Sequence, residues 1–301
     1  FLIGDEFDVW RFGPSGFARI TDGRPAQVET RPIDPTPEDE EPPTFARTAF
    51  ASLGRWTKRA SWSAVRGGRA VEIGSGPVTY LPPRLSETGD RWFFARQSAV
   101  DSPSLYAVGS EAPLVATNPQ QKEYGWTRVR VIDYKSRWGL PLQGTLRYPA
   151  NYVAGRKYPV ITYIYERLSD EAHTYDTPNP FVPYSAGDYT QRGYFVFEPD
   201  IAYHRAGRPG EDAVDCLEPA VAAAAKAEPG IDSSRVGLIG HSWGGYQTAF
   251  VTSVSKTFRV GVAGAPLTDL VSMANTHYWN VGMPNQPILE TSQGRMLKPF
   301  Y

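Results

Sequence analysis

Near Arg128 the 301-residue chain changes its hydrophobic rhythm. Before that point apolar residues fall in short alternating runs, each closed by turn residues. "FDVWRFG" and "FARITDG" read as two strands joined at Pro14-Ser15-Gly16. "DRWFFARQ", "PSLYAVG" and "PLVATNP" read as three more, and no helical period competes with them. Strands this short and evenly spaced predict a sandwich, a barrel or propeller blades. "DVWRFGPSGFARITDG" and "PSLYAVGSEAPLVATN" share one plan, as repeats do: an aromatic strand, a Gly-containing turn, then an apolar strand ending in Thr. Between them, "RPIDPTPEDEEPPT" (Arg31–Thr44) is Pro-rich and acidic and reads as a loop. Its run Glu38-Asp39-Glu40-Glu41 is a solvated face.

Beyond Arg128, "TRVRVIDY" and "LQGTLRYP" alternate like paired strands. "YPVITYIYE" (Tyr158–Glu166) and "GYFVFEPDI" (Gly193–Ile201) are nearly unbroken apolar runs, the pattern of strands buried on both faces. "EDAVDCLEPAVAAAAKAE" is Ala-rich and helical, with Pro219 predicting a kink or an early break. "RVGLIG" is a strand, "GYQTAFVTSVS" a helix and "RVGVAGAP" a further strand. Strands alternating with helices predict a mostly parallel sheet covered on both faces. The chain thus divides into a β domain over 1–127 and an α/β domain over 128–301.

Composition narrows the function classes. Hydrophobic residues make up 41%, enough for a substantial core, and 31 basic against 32 acidic residues leave a net charge of −1. No global basic field points to nucleic acid. No apolar run approaches the roughly 18 residues of a membrane span. The single cysteine, Cys216, excludes an internal disulfide framework and reads as a small buried hydrophobe on a helix. The chain opens on Phe1 and a stretch like a domain interior, without a signal-peptide pattern, and stops at "GRMLKPFY". Both ends read as those of a piece of a longer protein, so its compartment stays open.

The chemistry concentrates in "RVGLIGHSWGGYQTAF" (Arg235–Phe250). Gly240-His241-Ser242-Trp243-Gly244 fits the nucleophile elbow, a tight strand-to-helix turn that lifts a Ser hydroxyl above a sheet edge. Side chains at Gly240 and Gly244 would strike neighbouring backbone. The following helix N-terminus adds partial positive charge, and the Trp243 amide is placed to donate to a developing oxyanion.

"GHSWGGY", preceded by "IDSSRVGLIG", resembles the prolyl oligopeptidase family of serine peptidases. So do "YPVITYIYE", "QRGYFVFEPDI" and "AGAPLTDL", in the family's order across the second half of the chain. The resemblance implies an α/β-hydrolase domain with a doubly wound, mostly parallel sheet, preceded by the last blades of a β-propeller. It implies hydrolysis of oligopeptides through an acyl-enzyme on Ser242, without cofactor or metal. It also implies a second oxyanion donor at Tyr165, although the family continues there with Gly-Gly and this chain has Glu166-Arg167. An esterase or acyl-amino-acid hydrolase is the alternative of the same fold. A propeller-based binding protein with a degenerate hydrolase domain is the alternative of another class.

A Ser nucleophile needs a His base and an acid to orient it. The resemblance puts both beyond Tyr301, so residues 1–301 alone are expected to be inactive. Within the chain, a triad of Ser242, Asp269 and His277 has acid and base very close together. Asp269 reads more simply as a helix N-cap and His277 as a loop residue. His241 adjoins the nucleophile and cannot easily turn to face its hydroxyl. His173 and His204 precede Ser242 and read as loop residues. No pair of His has helical metal-ligand spacing.

Overall fold

The computed structural model describes residues 1–14, 16–38, 43–126, 128–177, 179, 182, 184–279 and 282–296. Within these the chain forms two compact units. Asp39, Glu40 and Glu41 of the acidic run lie outside the described residues; Glu38 stands 3.6 Å from Arg84.

The first unit, Phe1–Trp126 with Asp170–Thr177, is built of antiparallel sheets. One holds β1 (Leu2–Gly4), β2 (Val9–Gly13) and β3 (Gly16–Arg19). The next is a four-stranded meander of β4 (Val28–Ile33), β5 (Ala49–Gly54), β6 (Ala60–Arg66) and β7 (Arg69–Gly76). The third has the order β12-β11-β10-β8, with β9 also on β10; these are β8 (Thr79–Tyr80), β9 (Arg84–Leu85), β10 (Trp92–Gln97), β11 (Ser104–Ala107) and β12 (Val115–Ala116). Trp62 on β6 is fully buried, its ring 5.8 Å from Trp92 and 5.5 Å from Phe94. Segment 170–177 is held by a 2.7 Å Lys58–Asp170 pair and by Tyr175 stacked 5.0 Å from Trp126.

The predicted loop Arg31–Thr44 starts too early, because β4 runs on to Ile33 with Pro32 opposite Phe50. A proline is tolerated there because β4 is at the edge of its sheet, where the Pro32 nitrogen need not donate to a neighbouring strand. None of β4 to β7 is among the strands read from the sequence. In β5 and β6, Ala and Ser residues give little contrast between faces.

The second unit carries a six-stranded sheet of β13 (Val129–Lys135), β14 (Pro141–Arg147), β15 (Tyr158–Ile164), β16 (Phe195–Pro199), β17 (Ile231–His241) and β18 (Val260–Gly264). Its order is β13-β14-β16-β15-β17-β18. The pairs β16–β15, β15–β17 and β17–β18 are parallel, and the first two strands join antiparallel. Between the strands run α1 (Ala186–Gln191), α2 (Pro209–Ala227) and α3 (Trp243–Val254). After β18 come α4 (Leu270–Ala274), the short pair β19 (His277–Tyr278) and β20 (Met283–Pro284), and α5 (Gln286–Glu290). Leu146, Ile164, Phe195, Phe197, Leu217 and Leu238 form the centre of the core, all fully buried.

Pro219 does not end its helix: α2 is 19 residues long with Pro219 inside it. The proline has no N–H for the carbonyl of Asp215, one turn back. That carbonyl accepts instead from the Arg137 N–H at 2.9 Å. The bond removed from the helix is replaced from the β13–β14 connection, so the break is not needed. Cys216, one turn from this point, is buried at the Ala202 carbonyl, and burial pushes its thiol up to about 12.

Candidate active site

Strand β17 delivers Ser242 and α3 carries the chain away from it. Ser242 is the N-cap of α3, with φ 56° and ψ −116°. A non-glycine residue pays about 1–3 kcal/mol for such a backbone. The surroundings force it. A Cβ at Gly240 would stand 2.2 Å from the Gly244 carbonyl oxygen, and one at Gly244 would stand 2.4 Å from that of Ile164. Strand, turn and helix are therefore packed backbone to backbone, which only glycine allows. The Ser242 N–H is spent on the Gly264 carbonyl at 2.9 Å, tying the turn to the end of β18. The Ser242 carbonyl accepts the first helical bond, from Tyr246 N–H at 3.0 Å.

Trp243 is the first helical residue. Its amide is among those an α-helix leaves without an intrahelical acceptor. Its side chain is fully buried, stacked 4.7 Å from Tyr246, with the indole N–H donating to the Tyr203 hydroxyl at 3.1 Å. Tyr165 follows the last residue of β15, and Ile164 pairs with Gly240 across the sheet. The Cβ direction of Gly244 ends 3.5 Å from Tyr165 Cα, so the structure brings Tyr165 beside the elbow. Tyr163, two residues back, is taken up in a stack on Tyr184 at 3.7 Å.

Sequence reading missed a layer of polar residues behind Tyr165. Gln293 Nε2 donates to the Tyr165 hydroxyl at 3.1 Å. Arg295 donates to Glu166 Oε1 at 3.1 Å and to the Gln293 carbonyl at 2.9 Å, and lies 3.8 Å over the Tyr203 ring. The Tyr203 hydroxyl also accepts from Gln247 at 2.6 Å. Burial, then the Glu166 charge, pushes that hydroxyl well above its ordinary value, so it stays protonated. Gln293 and Arg295 sit in loop-like sequence far from Tyr165, and nothing local in the chain signals them.

The in-chain triad gains nothing. Asp269 caps α4, accepting from the Val271 and Ser272 amides at 3.1 Å and from the Ser272 hydroxyl at 2.6 Å. The Ser272 hydroxyl and amide hold its carboxyl below the usual range. His277 is exposed on β19, paired with Pro284. It lines a shallow pocket of about 400 Å³ with Leu267, Met273, Tyr278, Trp279 and Asn285. His241 is exposed at the end of β17, and His204 stacks 5.3 Å from Trp138. Among the described residues no hydrogen bond joins a histidine to Ser242.

The family model described as "Prolyl oligopeptidase family" matches residues 191–295, which include the elbow, Gln293 and Arg295. The resemblance carried by "GHSWGGY" and its neighbours is thus borne out. Solved structures agree on the fold. The chain is similar to the isopeptidase AtxE2 in its apo form, at a TM-score of 0.67 and 18% identity, over 97% of this chain and 46% of that one. It is similar to an acylaminoacyl peptidase of Pyrococcus horikoshii, at 0.57 and 17%, over 97% and 53%. It is also similar to a putative dipeptidyl aminopeptidase IV of Bacteroides ovatus, at 0.59 and 18%, over 88% and 39%. The chain spans about half the length of these proteins, or less.

Proposed function

We propose that the protein is a serine peptidase that cleaves oligopeptides through an acyl-enzyme on Ser242. The observation that carries the proposal is the Ser242 backbone, held at positive φ between β17 and α3 by contacts that exclude a side chain at Gly240 or Gly244. In this reading Ser242 Oγ attacks the scissile carbonyl carbon and gives its proton to a histidine base. The Trp243 amide and the Tyr165 hydroxyl donate to the oxyanion. Collapse breaks the C–N bond, and the amine leaves with the proton taken from Ser242. Water then hydrolyses the ester, and Ser242 recovers its proton. This reading leaves the base and its acid unassigned: Asp269 caps α4, and among the described residues no hydrogen bond joins a histidine to Ser242. The four-stranded meander β4–β7 has the plan of a propeller blade, which supports reading the first unit as propeller.

Hydrolysis of esters or acyl-amino acids is the alternative at the same serine, because an elbow does not distinguish an amide from an ester. Turnover of matched peptide and ester substrates by the full-length protein and by Ser242→Ala tests both readings. Loss of a nucleophile leaves only a residual roughly 10³–10⁴ over water, so the variant is expected to be inactive on either substrate. Undiminished hydrolysis by folded Ser242→Ala contradicts the proposal. A wild type that cleaves only the ester replaces peptidase by esterase.

A further inference from the structure

We infer that Gln293 is a positioning residue that fixes the direction of the Tyr165 proton, and that the Glu166–Arg295 pair holds Gln293 in place to do so. The inference rests on the reading of Tyr165 as an oxyanion donor. A phenol has one proton and two lone pairs. If a neighbour accepts that proton, the hydroxyl can no longer offer it to substrate. Gln293 does the opposite: its Nε2 donates into a Tyr165 lone pair at 3.1 Å. The proton of Tyr165 is then left to point elsewhere, and donation into the oxygen polarises the O–H and strengthens it as a donor.

The brace around this bond has three anchors. The Arg295 guanidinium bonds the Gln293 carbonyl at 2.9 Å and the Glu166 carboxylate at 3.1 Å, so it ties Gln293 to the residue after Tyr165. It also stacks 3.8 Å over Tyr203. The Tyr203 hydroxyl in turn accepts the indole N–H of Trp243, the residue whose amide is the other proposed donor. The backbone of Arg295 is fixed as well, its carbonyl accepting from the Gly207 N–H at 3.0 Å. Both donors to the oxyanion therefore lean on one set of side chains. Glu166 acquires a purpose here. Where the resembled family has Gly-Gly, this chain has a carboxylate that anchors the arginine holding Gln293.

The test is a double-mutant cycle in the full-length protein, with kcat and KM on one substrate, circular dichroism for folding, and the end-point of fluorophosphonate labelling on Ser242. Tyr165→Phe removes the donor and is expected to cost on the order of 10²–10³ in kcat. Gln293→Glu keeps the shape but replaces a donor by an acceptor that captures the Tyr165 proton. It is expected to fall most of the way to Tyr165→Phe in kcat with KM little changed. Gln293→Met removes one hydrogen bond and captures nothing, so its cost is roughly 2- to 10-fold. In the Tyr165→Phe background both Gln293 variants are expected to have no further effect. A merely structural Gln293 predicts the opposite, equal losses with and without the Tyr165 hydroxyl, and that result overturns the inference. So does a Gln293→Glu enzyme within twofold of wild type, or a Tyr165→Phe enzyme with normal kcat. Labelling separates these failures from failure of the proposed function: Ser242 stays labelled to completion in every folded variant if only the inference is wrong. If Gln293→Glu does not fold, Gln293→Met in the two backgrounds decides the question alone.

Discussion

At the scale of the residue, Ser242 carries the strain on which the site depends. Its φ of 56° is a glycine's conformation occupied by a serine. Removing the hydroxyl as Ser242→Ala leaves that strain in place, whereas Ser242→Gly removes both. The glycine variant is expected to be more stable than the alanine variant by about 1 kcal/mol, even after the extra freedom glycine gives the unfolded chain. Urea unfolding of the two variants checks this, and equal midpoints would mean that the turn relaxes without cost. The glycines at 240 and 244, the apolar run before them and the helix after them made this turn legible in the sequence. The layer behind it was not. Gln293 and Tyr165 are distant in sequence and meet only because α5 and the loop after it fold back to the end of β15. A glutamine in such a loop has no periodicity to betray it.

At the scale of the element, the C-terminus of α2 poses an electrostatic problem. Its C-cap is Glu228, an acid where the helix dipole is negative, and it is only 6% exposed. The chain solves this with donors. Tyr148 and Tyr152 hydroxyls each reach the carboxylate at 2.7 Å, and the Gly230 amide at 2.9 Å. Burial alone would raise the carboxyl, but the Tyr148 and Tyr152 hydroxyls and that amide outweigh it and leave it below its ordinary value of 4.5. The sign follows directly. The folded state binds this proton more weakly than the unfolded state, so the stabilisation is complete above about pH 4.5. It is lost as pH falls through the lowered folded value. Glu228→Gln is expected to cost about 1–3 kcal/mol at pH 7 and to flatten the fall in melting temperature on acidification. An unchanged acid limb in the variant would remove Glu228 from this role. Unbroken apolar runs made β15 and β16 legible, and the strand–turn–helix pattern of the elbow made α3 legible. The course of α2 through Pro219 was not, because the Arg137 N–H that satisfies the Asp215 carbonyl belongs to another part of the chain.

At the scale of the whole molecule, the six-stranded sheet of the second unit ends on β18. Helix α3 packs against this strand, yet Val260 and Val262, alternate residues of β18, are 56% and 53% exposed. Among the described residues β18 is the last strand of this sheet, and an apolar strand at a sheet edge is a template for association. A polypeptide of residues 1–301 is expected to self-associate, and Val262→Lys to reduce that association, as read by light scattering across a concentration series. Identical scattering from the two proteins would place the contact elsewhere. The change of rhythm near Arg128 separated an all-β part from an α/β part by hydrophobic pattern alone. It did not reveal that Asp170–Thr177 groups with the first unit, because Lys58, Thr79 and Trp126, which hold that segment, carry no mark of their partners. The central claim remains chemical: the strained serine between β17 and α3 is the nucleophile. It is tested most directly by treating the full-length protein with a fluorophosphonate probe and mapping the modified residue by mass spectrometry. The account predicts a single adduct on Ser242, absent from Ser242→Ala; an adduct on another serine, or none in a folded and active enzyme, would contradict it.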